Sequence, residues 1–350
     1  MSFYERRLQA DIDEIRAEIV DIGVTVEQLV ARSVKALLSG DDVDAYEVVL
    51  DDLPVNRRVR ALDKRCHAFV ARHLPSAGPL RFVSSVLRLN IALERIGDYG
   101  VSIARQATVL DADLPREAAR LIAAMDEQAR LMLRQAVRAW AEQNTELALG
   151  TKAMAGTVDS GLHDAYTLLV ELGEAEDGSP VRELFGLLTV YARLERVSDQ
   201  AKNICEEAVF AATGETKPPK RYKVLFVDQT NTSWSQIAER MARKAYPGSG
   251  AYSSAGWAPG AALHRDLATL ADDLGLDLEG AVPKGVEALD RELEDFHVIV
   301  SVDEDRGLPE IPFYTAYLHW SLPENREAAV QELSVRIAGL MERLRGEDAP

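Results

Sequence analysis

The sequence predicts a multidomain chain of α and α/β class. A tandem pair of three-helix bundles is followed by a small three-layer α/β domain built on a parallel sheet. Three observations carry that expectation. Up to about Gly214 the apolar residues recur at helical spacing, and most prolines fall between long periodic stretches. Within this region LERIGDYGVSIA (Leu93–Ala104) returns as LERVSDQAKNIC (Leu194–Cys205), an offset of 101 residues from Glu94 to Glu195. That period is too long for a solenoid and suits a duplicated bundle. Beyond Arg221 strand and helix signals alternate, which implies a parallel sheet with helices on both faces.

The helical part reads as six long helices, at about 3–38, 43–73, 80–110, 115–143, 145–173 and 180–212. Ser2 is placed to cap the first. Pro54 falls in the early turns of the second and blurs its start. Each copy of the repeated segment lies in the third helix of its set. The expected domains are therefore 1–110 and 111–214, then a linker at 215–221 and an α/β domain at 222–346. The linker is short, basic and bears Pro218 and Pro219, so it reads as semi-rigid. In the last domain YKVLFV (222–227) is an apolar strand and Ser235–Tyr246 a helix capped by Ser235. GAYSSAG (250–256), HVIVSV (297–302) and LHWSL (318–322) are further strands, with helices at 262–274 and 324–345.

A length of 350 residues suffices for two or three ordinary cores, and 47% hydrophobic with 28% charged residues is a globular composition. The net charge of −17 argues against a general nucleic-acid binder or a protein adsorbing to anionic membranes, since both partners are polyanions. No run approaches the roughly 18 apolar residues of a membrane span, so no integral membrane segment is expected. Met1 leads into a charged amphipathic stretch rather than an apolar one. The expected location is the cytoplasm, with Cys66 and Cys205 reduced.

The repeat also carries the chemistry. In both copies a glutamate and an aspartate stand four apart, Glu94 with Asp98 and Glu195 with Asp199, and so share a helix face. Like charges at that spacing repel by a few tenths of a kcal/mol. Arg95 and Arg196 are i,i+3 partners for the aspartates, while neither glutamate has a cation one turn away. The glutamates continue apolar stripes, where unpaired charge is expensive. Two readings stay open: a salt-bridge network with neighbouring helices, or a hard-cation site made of bundle carboxylates. Neither motif contains a histidine, so the Glu-x-x-His type of di-iron site is excluded.

The residues Arg72-His73-Leu74-Pro75, Leu80-Arg81, Leu93–Asp98 and Leu194–Asp199 with Asn203 resemble the PhoU family of phosphate-uptake regulators, over roughly residues 1–214. That resemblance implies two three-helix bundles and repression of phosphate-starvation signalling. It implies a phosphate ABC transporter and a sensor kinase as partners, and a homodimer. It also makes Glu94, Asp98, Glu195 and Asp199 candidate ligands for iron or another divalent or trivalent metal. Asp52, with Asn56 and Asp63, would add ligands from the second helix of the first copy, and Asp159 from that of the second. Val59 and Ala155 stand where further acidic ligands would be expected, which reduces the cluster.

The segment VLFVDQTNTSWSQIAER (Val224–Arg240) has the order strand, polar loop, helix. About 221–346 resembles the low-molecular-weight tyrosine phosphatase and arsenate reductase family, which opens on a strand, a Cys-x5-Arg-Ser loop and a helix. Here Asp228 takes the cysteine's place and Trp234 the arginine's. Asn231, Ser235, Ala238-Glu239 and Ser254-Ala255-Gly256 match. Where a general-acid Asp-Pro would follow His319-Trp320, the chain reads Glu324-Asn325. The family's thiolate is activated by loop amides and the helix N-terminus, and its arginine clamps the phosphoryl oxygens. With both replaced, a thiol-phosphatase mechanism is excluded. The expectation is a non-catalytic sensor or docking domain whose ligand loop comprises Asp228, Thr230, Asn231, Thr232, Ser233, Trp234 and Ser235, with Trp257 near the rim. The alternative is a phosphatase using Asp228 as an aspartyl nucleophile with Mg²⁺, for which Asp303 and Asp305 are candidate acidic ligands.

Overall fold

A reciprocal capping box starts the chain's first helix. Ser2 Oγ accepts the Glu5 N–H at 3.2 Å while Glu5 accepts the Ser2 N–H at 2.6 Å. The helix α1 (Phe3–Ser39) ends at Gly40 in the left-handed region. In this computed structural model the described residues are 2–110, 113–175, 178–216, 220–289, 293–302 and 315–346, the side chains of Leu267 and Glu294 apart. The chain divides into two compact units, Met1–Lys217 and Pro218–Pro350.

In the first unit α2 (Asp42–His73) contains Pro54 within its length and stops at Leu74, before Pro75. It is followed by α3 (Ala77–Ala107). The second set is α4 (Arg116–Ala141), α5 (Thr145–Ala153), α6 (Ala155–Glu174) and α7 (Val181–Thr213), closed by Gly214 at φ 82°. One helix was expected over 145–173, and the structure breaks it at Met154. There the bonding tightens to i→i+3, with Met154 N–H donating to Thr151 O and Thr157 N–H to Met154 O, both 3.1 Å. Gly150 and Gly156 flank the break and weaken the helix on both sides.

The helices α1, α2 and α3 pack together, as do α4, α5/α6 and α7, and the two sets meet through α1 on α4 and α3 on α7. Ile15, Ile19, Leu89, Leu93, Met132, Leu187, Tyr191 and Leu194 belong to one continuous core spanning both sets. Buried polar tips are matched across it: Trp140 Nε1 donates to Ser85 Oγ at 2.9 Å, and the Tyr191 hydroxyl to Ala118 O at 3.1 Å. No described helix is long and apolar enough to cross a membrane.

The second unit holds a four-stranded parallel sheet in the order β2-β1-β3-β4. Its strands are β1 (Tyr222–Asp228), β2 (Gly250–Gly256), β3 (Val298–Val302) and β4 (Ala316–Trp320). Its helices are α8 (Trp234–Ala245), α9 (Arg265–Leu274) and α10 (Arg326–Arg345). Alternation along β1 and β3 makes two cores. Val224, Phe226, Val298 and Val300 face Ile237, Leu270 and Leu333 of the three helices. Leu225, Val227 and Ile299 face Phe296, Trp257 and Val286. Helices were expected on both faces. Among the described residues α8, α9 and α10 share one face, and short 3₁₀ turns and Trp257 cover the other. β1 is central, so its C-terminal end opens at the point where the strand order reverses.

Candidate functional sites

In the first unit the expected carboxylates come together across helices. Asp52 of α2 lies over Gly97 of α3, where a Cβ would meet Asp52 Oδ1 at 2.8 Å. Asn56 Nδ2 donates to Asp52 Oδ2 at 2.5 Å. Asp52 Oδ1 and Asn56 Oδ1 are buried and without a hydrogen-bond partner. Burial pushes the Asp52 carboxyl above its ordinary range, and the charges of Asp98 and then Glu94 push the same way against the Asn56 hydrogen bond. The second copy repeats the arrangement with Asp159 of α6 and Glu195 and Asp199 of α7. Burial, followed by Asp199, lifts Glu195 to about 7, with Arg196 opposing and Asp159 adding. Asp159 is also raised, by burial first, with Lys202 opposing and Asp199 adding.

The copies differ in how charge is met. Arg196 reaches Asp199 at 3.2 Å and Glu195 at 3.4 Å. The corresponding Arg95–Asp98 pair is absent among the described residues, and no lysine or arginine there lies within ion-pair distance of Asp52, Glu94 or Asp98. Asp63 is not gathered in; it stands 3.6 Å from His67 on its own helix. Val59 and Ala155 are core residues. The donors are hard oxygens and suit a hard cation. Two of them in the first copy, Asp52 Oδ1 and Asn56 Oδ1, are buried without partners. Among the described residues, however, no group of three or more His, Cys, Asp or Glu side chains is arranged to hold a metal ion. The donor chemistry fits a metal; the side-chain positions do not close around one.

In the second unit the loop after β1 is built around Asp228. This residue is 7% exposed. Its Oδ1 accepts the Thr230 N–H at 3.0 Å and the Asn231 N–H, and its Oδ2 accepts the Ser235 N–H at 2.9 Å. The carboxylate therefore sits in the loop's nest of amides at the α8 N-terminus, where a bound anion would otherwise sit. This corrects one expectation. Ser235 does not cap α8; the N-cap position is Ser233, without a side-chain cap bond, and Asp228 takes the first-turn amide of Ser235 instead. The helix begins at Trp234, so Ser235 lies inside its first turn and cannot cap it, and the Asp228 carboxylate meets the positive end of the helix dipole there.

Asn231 holds the loop's turn at φ 53° and is fully buried. Its Nδ2 donates to Ser235 Oγ at 2.9 Å; its Oδ1 accepts from Gln236 Nε2 at 2.9 Å and from Lys284 N–H at 3.0 Å. Thr230 and Thr232 hydroxyls bond each other at 2.8 Å. Gly256 passes so close that a Cβ would meet Asn231 N and the Thr230 carbonyl carbon at 2.7 Å. Loop carbonyls are met by the following segment: Ala258 N–H on Gln229 O at 2.8 Å, Gly260 N–H on Thr230 O at 2.9 Å, His264 N–H on Thr232 O at 3.0 Å. Behind the loop Ser254 Oγ donates to the buried Glu239 at 2.5 Å, tying β2 to α8. Trp234 packs against the helix-side core and, with Ser233, Ile237, His264 and Glu324, lines a cavity of about 330 Å³. Trp257 packs into the opposite core. Gln236 was missed by the sequence reading; a buried amide one turn into a helix that opens on a polar loop is its only signal. Asp303 and Asp305 lie outside the described residues. Cys66 and Cys205 are buried in the first unit, their thiols pushed up to about 12 by burial, and take no part here.

Comparison with known proteins agrees with both halves. The PhoU domain family matches residues 19–107 and 122–208. The low molecular weight phosphotyrosine protein phosphatase family matches residues 223–315. A phosphate-specific transport system accessory protein PhoU homolog of Pseudomonas putida is 31% identical over 211 residues, covering 60% of this chain and 82% of that protein. Its counterpart in Rhizobium meliloti is 27% identical over 214 residues, covering 61% and 90%. The crystal structure of PhoU from Pseudomonas aeruginosa aligns with a TM-score of 0.57 at 29% identity, covering 59% of this chain and 99% of that one. The match along both helical copies and the identity to these relatives show that the chain belongs to the PhoU family, here with a low-molecular-weight phosphatase domain following it in the chain.

Proposed function

We propose that this chain is a non-catalytic regulator of phosphate uptake or phosphate-starvation signalling, in which the PhoU unit acts and the phosphatase-type unit docks or senses without turnover. Family membership and the accessory-protein names of its relatives support the first half. A phosphate ABC transporter and a sensor kinase are the partners this reading assigns, with a homodimer as the working form. Iron or another divalent or trivalent metal is the ion this reading assigns to the hard oxygens of Asp52, Glu94 and Asp98, and of Asp159, Glu195 and Asp199, whose side chains would have to draw together around it. When bound, such an ion would neutralise carboxylates that now repel one another. Asp52 and Asn56 would hold it from α2, and Glu94 and Asp98 from α3.

The observation that carries the non-catalytic half is the seat of Asp228. A nucleophile must present an atom to the phosphorus, and both Asp228 oxygens are engaged by backbone amides inside the loop. Trp234 brings no charge to clamp phosphoryl oxygens. An activated aryl phosphate assay on the full chain, with and without Mg²⁺, tests this. No turnover in either condition is expected. Turnover that requires Mg²⁺ and disappears in Asp228→Asn would overturn the reading and establish the aspartyl mechanism.

A further inference from the structure

The outward face of α2 is apolar where it should be wet. Val43, Tyr46, Leu50 and Leu53 are 70%, 61%, 63% and 53% exposed. Their spacing of three, four and three residues sets them in one stripe. The stripe lies opposite Ala45, Val48, Asp52, Val55 and Val59, which face the bundle. It continues at the same spacing into Arg57, Arg60 and Lys64, all exposed and with no ion-pair partner among the described residues. The apolar part spans about 15 Å and the whole stripe about 32 Å at 1.5 Å per residue. Large aliphatic and aromatic side chains in a contiguous exposed row mark an interaction surface.

The second copy shows that the fold does not require this pattern. The offset that carries Asp52 onto Asp159 carries Leu50, Leu53, Arg57, Arg60 and Lys64 onto Thr157, Ser160, Asp164, Thr167 and Glu171 of α6. These five are exposed and polar, and none is basic. The stripe is therefore particular to α2.

Charge decides the occupant. Two copies paired in parallel across a twofold axis would set Arg57, Arg60 and Lys64 against themselves. An antiparallel pair would lay those cations over Val43–Leu53 of the other copy and bury them unpaired. On a chain of net charge −17, three free cations at one end of an apolar row call for carboxylates on the other side. We propose that this face of α2 docks an amphipathic helix of a partner protein, whose apolar stripe covers Val43, Tyr46, Leu50 and Leu53 and whose carboxylates meet Arg57, Arg60 and Lys64. Carboxylates favour a helix N-terminus, so the partner helix runs antiparallel to α2.

The test uses the full chain and two fluorescein-labelled synthetic helices of about 20 residues, enough to span the stripe. Both carry leucines on one stripe of the C-terminal half. One continues that stripe with glutamates in its N-terminal half and the other with lysines. Anisotropy titration is expected to show the glutamate helix binding at least about tenfold more tightly than the lysine helix. Leu50→Lys should weaken it by a similar factor, and the triple variant Arg57→Glu, Arg60→Glu, Lys64→Glu should reverse the preference. All four positions are exposed, and circular dichroism confirms that each variant is folded. Absence of binding, equal binding of both helices, or binding indifferent to Leu50→Lys overturns the proposal. So does self-association in the ultracentrifuge that Leu50→Lys abolishes, or binding to phosphatidylglycerol vesicles without binding to either helix.

Discussion

Replacing Glu195 by glutamine should stabilise the protein, and only at the pH where glutamate is ionised. The side chain is 16% exposed, beside Asp199 and Asp159, and its pKa stands at about 7 against an ordinary 4.5. A raised carboxylate pKa means the folded state holds the proton more tightly than the unfolded one. Below 4.5 both states are protonated and the group costs nothing. As pH rises through 7 the folded state bears a charge it disfavours. At about 1.4 kcal/mol per tenfold change, the interval, in which the opposing Arg196 charge is already counted, is worth at most about 3 kcal/mol, and solvent screening reduces it. Glutamine keeps the shape and a hydrogen bond toward Asp199 without the charge. Urea unfolding of wild type and Glu195→Gln in chelator-treated buffer gives the answer. The variant should match wild type near pH 4.5 and exceed it by about 2 to 3 kcal/mol at pH 8. Equal offsets at both pH values, or a less stable variant at pH 8, would refute the electrostatic account of the cluster. Added manganese should narrow the gap, because a cation stabilises the ionised carboxylate that only wild type has.

Three further outcomes follow from the same geometry. Elemental analysis after dialysis against manganese should find metal in wild type and a loss of it in the double variant Glu94→Ala, Glu195→Ala; equal contents would remove the metal reading. Gly97→Ala places a carbon 2.8 Å from Asp52 Oδ1 and should displace that carboxylate, lowering metal content in the first copy while the far-ultraviolet spectrum stays helical. Gly256→Ala drives a methyl group into the backbone of Thr230 and Asn231 at 2.7 Å. It should cost the second unit about 2 to 3 kcal/mol in denaturant unfolding, and a change under 0.5 kcal/mol would show that the loop yields.

The sequence made some of this plain and hid the rest for identifiable reasons. The repeated Glu-x-x-x-Asp segment located both carboxylate triplets, because a helix turns sequence spacing directly into a shared face. Asp52 and Asp159 could be joined to them only through the family pattern, since helix-to-helix contact leaves no local spacing. Pro54 blurred the start of α2, yet the helix runs through it, carried by Val48, Val55 and Val59 packed on α1 and α3. The break at Met154 was invisible to apolar periodicity, which continues across it. In the loop, Asp228 and Trp234 declared the loss of nucleophile and clamp. That a carboxylate in the cysteine's place can occupy the nest of loop amides was legible from the replacement itself; that it also takes the first-turn amide of α8 in place of a Ser235 cap depends on the fold of Asn231 at positive φ, a backbone choice that a single sequence does not reveal. The outward stripe on α2 was legible as spacing, but the inward stripe explained the helix and the second face went unread.

Inorganic phosphate binding to the full chain and to Asp228→Ala, measured by calorimetry, tests the central claim most directly. If the carboxylate occupies the amide nest formed by Thr230, Asn231 and Ser235, wild type should show no saturable binding attributable to the loop. Asp228→Ala should then gain a site with a Kd on the order of 1 mM or tighter. Phosphate binding by wild type that Asp228→Ala weakens, or a nest that stays closed to phosphate after the carboxylate is removed, would contradict it.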